Sequence, residues 1–174
     1  MFLVTSRNPR VNSLINPLVN GNINPLINGN INPLINGNIN PLINGNINPL
    51  INGNINPLIN GNINPLINGN INPLINGNIN PLINGNINPN INPNFSGLYL
   101  FDRNLNPIEF IIKVNETFIQ VFDFSMKNTC YGVAHSINGF VLFNGSSFIG
   151  HLESDSRQGY NKFDTYNKWV GFVK

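Results

Sequence analysis

The sequence predicts an all-β protein in two parts, an octapeptide-repeat β-solenoid followed by a small pseudo-fourfold domain of four β-hairpins. Three observations support this prediction. An eight-residue unit repeats nine times without a gap from Ile15 to Asn86. An aromatic-acid or aromatic-amide pair then recurs four times, at spacings of 20 or 21 residues. Charged residues are absent from Val11 to Phe101 and return from Asp102 onward, which indicates a change of domain between the two repeats.

The first repeat has the unit Ile-Asn-Pro-Leu-Ile-Asn-Gly-Asn, in which Val19 is the one replacement. Each unit contains two related halves, so Asn-Pro or Asn-Gly places a turn signal every four residues. A proline in every unit excludes a continuous α-helix, because an interior proline costs about 3 kcal/mol. We predict a degenerate N-terminal cap over residues 1–14 and the array itself over residues 15–94.

Side-chain alternation along the octapeptide predicts how the array folds. In extended chain, the two isoleucines, the proline and the glycine share one face, and the leucine and the three asparagines share the other. This pattern favours a β-solenoid in which short extended arms meet at Pro and Gly corners and the isoleucines stack inside. We expect two octapeptides per coil, because eight residues are too few to enclose a core. The competing interpretation is a disordered Asn/Pro/Gly linker, but flexible linkers lack so much apolar content.

The second repeat occupies residues 95–174 and predicts four β-hairpins. In each unit a short strand pattern precedes the aromatic pair, whose Asp or Asn is suited to capping a turn. In three of the four units, an apolar residue followed by glycine comes after the turn, and this glycine allows close approach between strands. The first unit has Glu109 at the glycine position. A single hairpin is marginally stable in water, so we expect the four to pack around the repeated phenylalanines. The anchors of the repeat are Phe101, Asp102, Phe122, Asp123, Phe143, Asn144, Phe163 and Asp164, with Gly132, Gly150 and Gly171.

This pattern of four units with a Phe-Asp type pair and a later apolar-Gly pair resembles the four-fold β-flower domain of bacterial proteins. The resemblance covers residues 97–174, whereas the octapeptide array matches no family that we can name. What the resemblance implies is a fold and no established reaction.

Few residues are candidates for chemistry. His135 and His151 follow repeat glycines, and without further ligands at metal-binding spacing we expect them to form ordinary hydrogen bonds. The three repeat aspartates could form a cation-binding ring, but turn capping explains an acid at that position more simply. Cys130 is the only cysteine and lacks an activating neighbour at a recognisable spacing. We therefore expect no catalytic site, no cofactor and no bound metal.

The charge pattern limits the expected partners and location. The formal net charge is +2 without a basic stripe, which argues against a nucleic-acid partner. No stretch reaches the ~20 apolar residues of a membrane span. An extracellular or cell-surface location is suspected, although the four apolar residues at the start are too short for a signal-peptide core.

These observations predict a non-enzymatic structural or self-assembling protein, in which the solenoid forms a stalk or fibre and the β domain acts as a cap or interaction module. A solenoid without charge has open ends that template further strands, and its outward leucines form an apolar stripe that could join rods side by side. The alternative is a monomeric module that binds a glycan or a protein, with the array as a spacer. The predicted assembly residues are Leu26, Leu34, Leu42, Leu50 and Leu58.

Overall fold

The computed structural model describes residues 7–40, 42–46, 73, 75–135, 138–145 and 147–174. The second repeat folds into eight strands that pair antiparallel in chain order, and β8 pairs with β1 to close a barrel. The prediction of an all-β fold is confirmed, in the form of a closed antiparallel barrel. The strands are Leu98–Asp102 (β1), Pro107–Asn115 (β2), Phe118–Asp123 (β3), Asn128–His135 (β4), Gly139–Asn144 (β5), Ser147–Ser154 (β6), Tyr160–Phe163 (β7) and Trp169–Val173 (β8).

Alternate side chains of the strands point into the barrel and away from it. The repeated phenylalanines are buried, each 1% exposed, but they belong to three clusters separate from the barrel interior. Phe101, for example, follows Leu100 and faces the opposite side of the sheet. The expectation that the hairpins pack around these phenylalanines is wrong, because other side chains fill the barrel. The interior cluster is Leu100, Ile111, Ile119, Val121, Cys130, Phe140, Leu142, Leu152 and Val173.

The strand register aligns the four hairpins position by position. Gly150 lies opposite Leu142 and Gly171 lies opposite Lys162, whereas Gly132 lies opposite Ile119 and is not their equivalent. A Cβ at Gly171 would meet the backbone carbonyl of the neighbouring β1, so this strand pair requires glycine. The equivalent pairs across the hairpins are Leu100 with Glu109, Val121 with Cys130, Leu142 with Gly150, and Lys162 with Gly171.

Among these four equivalent pairs, two positions carry charged residues, and the two side chains meet inside the barrel. Glu109 stands where two other hairpins have glycine, and Lys162 stands where the other three have Leu or Val. Lys162 Nζ lies 3.1 Å from Glu109 Oε2, and the two side chains are 20% and 16% exposed. Because β2 and β7 are not neighbours in the sheet, the pair spans the interior. Each charge therefore supplies the partner that the other needs when partly buried.

The octapeptide array is a succession of turns four residues long. In the frames Asn-Pro-Leu-Ile and Asn-Gly-Asn-Ile, Oδ1 of the first Asn accepts a hydrogen bond from the backbone N–H two residues later, as at Asn24 and Asn28. The backbone N–H of the closing isoleucine donates to the carbonyl of the same Asn. The turn signal every four residues thus corresponds to an Asn-capped turn. Short 3₁₀ helices within this series span Ser13–Ile15, Gly21–Ile23, Gly77–Ile79 and Gly85–Ile87.

A second asparagine bond joins successive octapeptides. Where the structure describes both residues, Nδ2 of the Asn before glycine donates to the carbonyl oxygen six residues earlier, for example from Asn28 to Asn22 at 2.6 Å. The glycine supplies space, because a Cβ at Gly21 would lie 3.1 Å from Cγ2 of Ile27 in the next octapeptide. None of the array glycines that the structure describes has a positive φ. Glycine is therefore required here for close packing, and not for a left-handed backbone.

The array differs from the predicted solenoid in two respects. Its described residues contain no strand, so the extended arms expected between the Pro and Gly corners are turns. The isoleucines divide between two faces, since Ile15 and Ile23 are 1% and 5% exposed whereas Ile27 and Ile35 are both 70% exposed. The prediction that both isoleucines share a buried face is wrong. Alternation with a two-residue period holds for extended chain, and this chain turns every four residues.

The inner face of the array packs against the outer face of the barrel. Ile39 belongs to the outer aromatic cluster formed by β3, β4 and β5, and Ile87 packs against the cluster formed by β2 and β3. Over the described residues, the array therefore covers part of the barrel and does not only extend from it. Hydrogen bonds accompany this packing, from Arg10 to Arg103, from Asn167 to Asn32 and from Asn90 to Phe124.

Candidate functional site

The three repeat aspartates cap the turns of their hairpins. Asp102 Oδ1 accepts backbone hydrogen bonds from Asn104 and Asn106, at 2.7 and 2.9 Å. Asp123 and Asp164 accept the same two bonds from residues two and four positions later. In each turn, the backbone N–H three residues after the aspartate donates to the aspartate carbonyl, and that third residue is left-handed. The acids at these positions therefore hold backbone N–H groups. The left-handed residues are Leu105, Met126 and Asn167.

Acid should weaken these turns. A side-chain bond from Ser125 and a backbone bond from Lys127 hold the pKa of Asp123 below its usual value, and both kinds of bond from Asn106 do the same for Asp102. A carboxyl whose folded-state pKa is lowered stabilises the fold above its unfolded pKa of about 3.9. This contribution is lost as the pH falls through the folded value.

Asp123→Asn should therefore melt below the wild type at neutral pH, and the difference in Tm should shrink as the pH falls below about 3.9 and through the lowered folded-state pKa of the wild-type carboxyl. Thermal unfolding at several pH values measures this difference. Glu116→Gln is the control, since it removes the same charge from an exposed side chain that caps no turn. A Tm difference for Asp123→Asn that stays constant across the range would contradict the role of the ionised carboxylate.

A buried polar network crosses from the outer face of the barrel to the array. Glu153 Oε1 lies 2.7 Å from His151 Nδ1 and 3.3 Å from His135 Nε2. His151 Nε2 lies 2.9 Å from Asn167 Oδ1, and Asn167 Nδ2 donates to Asn32 Oδ1 of the array at 2.8 Å. All five side chains are buried. An oxygen of another buried side chain thus lies within hydrogen-bond distance of each ring nitrogen of His151, which holds the imidazole at both nitrogens.

The geometry of this network indicates a link between array and barrel. The buried ring of His151 contacts Glu153, and the chain of contacts ends on an array asparagine. Sequence analysis identifies the two histidines as hydrogen-bonding residues but misses Glu153 and Asn167. The available signal is that Glu153 lies two residues after His151 and so shares its face of β6. No group of three or more His, Cys, Asp or Glu residues in the described ranges is arranged to hold a metal ion.

In the octapeptides that the structure describes in full, the outer face of the array exposes two adjacent apolar side chains per unit. The predicted assembly residues Leu26, Leu34 and Leu42 are 65%, 63% and 80% exposed, and the isoleucine after each is exposed between 67% and 70%. Leu50 and Leu58 lie outside the described residues. The exposed isoleucines were missed because the alternation pattern placed them inside. These pairs, which we call the Leu/Ile stripe, are Leu26–Ile27, Leu34–Ile35 and Leu42–Ile43.

Comparison with protein-family models, curated proteins and solved structures finds no match for this chain. The resemblance of residues 97–174 to the four-fold β-flower domain therefore stays a prediction. Of the helices in the described ranges, none has the length and apolar character needed to cross a membrane. The function has to be argued from the geometry of the chain itself.

Cys130 is a thiol in the barrel interior. Burial raises its pKa to about 11, so the thiol stays protonated at neutral pH. A cysteine nucleophile reacts as the thiolate, and Cys130 is therefore suited to packing and poorly suited to catalysis.

Proposed function

We propose that this protein is a non-enzymatic, self-assembling structural protein whose array binds a second copy of the chain through the Leu/Ile stripe. The observation that carries the proposal is the division of the array into two faces. Ile39 is 2% exposed and packs against the barrel, whereas the stripe leucines are 63–80% exposed. Single exposed apolar residues are ordinary on protein surfaces. Pairs that recur at every eighth residue form an organised apolar surface, which is typical of an interaction site.

A second copy of the chain fits this surface better than a charged partner. No residue from Val11 to Phe101 is charged, so the stripe offers such a partner no electrostatic complementarity. Its repeat length is constant, so an identical array can match it over successive octapeptides. The charges with which β-proteins ordinarily prevent unwanted association are missing from this face.

The predicted solenoid is part of this proposal, as a coil of Asn-capped turns with two octapeptides per coil. The bond from the Asn before glycine to the preceding octapeptide supports a regular coil, because the same bond recurs from Asn20, Asn28 and Asn36. A repeat stabilised by contacts with its neighbours can extend by adding units. The barrel then acts as the cap or interaction module of the array.

The double variant Leu26→Lys/Leu34→Lys tests the proposal. Both side chains point outward, so each chain should fold, while like-charge repulsion and loss of apolar surface should dissociate assemblies. Sedimentation should show large, concentration-dependent species for the wild type and monomers for the variant at low salt. Added salt should restore part of the assembly, because exposed charges are screened within ~8 Å at physiological ionic strength.

The matched control is Asn22→Lys/Asn30→Lys, which adds the same charge to exposed array positions and keeps the leucines. It should assemble more than the leucine variant. Unchanged assembly of the leucine variant would rule out the stripe as the contact. A wild type that sediments as a single monomeric species at all concentrations would favour the alternative, a monomeric glycan- or protein-binding module on a repeat spacer.

A further inference from the structure

The barrel contains a cavity at the end opposite the Phe-Asp turns. Its volume is about 310 Å³, and its floor is apolar, formed by Leu98, Ile111, Ile119, Phe140 and Leu152. These side chains point inward from five different strands. A dry cavity of ~150 Å³ lined by such residues holds one benzene molecule. By the same measure, this cavity has room for roughly a dozen heavy atoms.

The rim of the cavity is polar and carries one positive charge. Ser96, Ser154, Gln158 and Tyr160 line it together with Lys113. Lys113 lies opposite the inward-facing Ile119 in the register of β2 and β3, so its stem starts on the inner side of the barrel wall. None of the described residues that line the cavity is acidic. An apolar floor with a few polar groups and one cation is the usual composition of a small-molecule site.

The ammonium of Lys113 is available to a ligand. Its present partner is Glu116, whose Oε2 lies 2.7 Å from Lys113 Nζ, but the two side chains are 55% and 90% exposed. Exposed ion pairs of this kind are weak, because water and salt screen them. Glu116 does not line the cavity. A carboxylate that enters with an apolar tail can therefore replace it on Lys113.

We infer that the cavity binds a small amphipathic monocarboxylate, with its apolar body on the floor and its carboxylate on Lys113. The single cation matches a single negative charge, and the flanking hydroxyl and amide groups match a carboxylate's remaining acceptor capacity. A saturated chain of about eight carbons or a phenyl-substituted short acid fits the volume. This site is separate from the Leu/Ile stripe, so binding does not depend on self-assembly.

Calorimetric titration with octanoate tests the inference, with octylamine as the probe of equal length and opposite charge. Octanoate should bind one molecule per chain, and octylamine should bind at least tenfold more weakly. Lys113→Gln should weaken octanoate binding about tenfold, whereas Lys127→Gln, a lysine away from the cavity, should leave it unchanged. Glu116→Gln should tighten binding two- to fivefold, because it removes the competing carboxylate. A gain of affinity cannot result from damage to the fold.

Leu98→Trp tests the floor. Leu98 is half-buried and belongs to the apolar floor, so an indole there fills the cavity and should reduce octanoate affinity at least tenfold. Absence of octanoate binding to the wild type would overturn the inference, as would equal binding of octanoate and octylamine. Unchanged affinity in both Lys113→Gln and Leu98→Trp would place any bound octanoate elsewhere and would also overturn it.

Discussion

Replacing Ile39 with alanine should lower the free energy of unfolding by about 2–4 kcal/mol and should destabilise the barrel together with the array. Ile39 is 2% exposed and packs with Phe118, Tyr131, Val141 and Phe143, so truncation leaves a cavity between the two parts. Chemical unfolding followed by the fluorescence of Trp169 measures the effect. Trp169 lies in the barrel, in an aromatic cluster that does not contain Ile39.

Ile35→Ala is the matched control. Ile35 also closes a four-residue turn, but it is 70% exposed, and a surface truncation is expected to change the stability by less than about 0.5 kcal/mol. If Ile39→Ala left the Trp169 transition unchanged, the array and the barrel would unfold independently. Equal losses for the two variants would mean that turn formation, and not packing on the barrel, sets the stability of the array.

Replacing Glu153 with alanine should lower the free energy of unfolding by about 1–3 kcal/mol, because it leaves buried ring nitrogens of the histidines without their partner. Glu153 is 2% exposed and contacts both histidines. Glu116→Ala removes a carboxylate that is 90% exposed, and it should cost less than about 1 kcal/mol. Denaturant unfolding of the two variants compares these costs directly.

The same variant reports on the link between barrel and array. Hydrogen exchange of the backbone amides near Asn32 should accelerate in Glu153→Ala, because the network runs from Glu153 through His151 and Asn167 to Asn32. Equal stability losses in Glu153→Ala and Glu116→Ala, with unchanged exchange near Asn32, would contradict this account of the network.

Local structure of the array could be read from the sequence, but its faces could not. Asn-Pro and Asn-Gly predict a turn every four residues, and Asn-capped turns occur at that spacing. The assignment of Leu26 to the outside agrees with its exposure, whereas Ile27 was assigned to the inside. The error arises because a two-residue period was applied to a chain that does not remain extended. The exposed apolar surface is therefore larger than the leucines alone suggested.

In the barrel, the repeat predicted where the strands and turns lie, but it did not predict which side chains fill the interior. The spacing of Phe101, Phe122, Phe143 and Phe163 marks the end of the first strand in each hairpin, but a repeat does not show which face of the sheet is interior. Side-chain alternation allows either face of the sheet to be the interior. When the barrel closes, residues one position before the phenylalanines, such as Leu100 and Leu142, point into it. The array then covers part of the face that carries the phenylalanines.

Contacts between distant strands were beyond a one-dimensional pattern. The sequence shows Glu109 as a departure from the repeat, yet its partner Lys162 is 53 residues away and is identified only when β2 and β7 face each other across the barrel. The network of His135, His151 and Glu153 likewise depends on the sheet order that brings β4 and β6 together around β5. Both sets of contacts can be predicted only when the strand register and the closure of the barrel are known.

Cross-linking through the Leu/Ile stripe tests the central claim most directly. The variant Leu34→Cys places an exposed thiol on the stripe, while the natural Cys130 is buried. A disulfide forms only when the two Cα atoms approach within about 7 Å, so oxidation reports whether stripes from two copies face each other. The control is Tyr166→Cys, at an 82% exposed position on a turn of the barrel. Covalent dimers should form readily from Leu34→Cys and only slowly from Tyr166→Cys, whereas equal yields from both or none from Leu34→Cys would contradict assembly through the stripe.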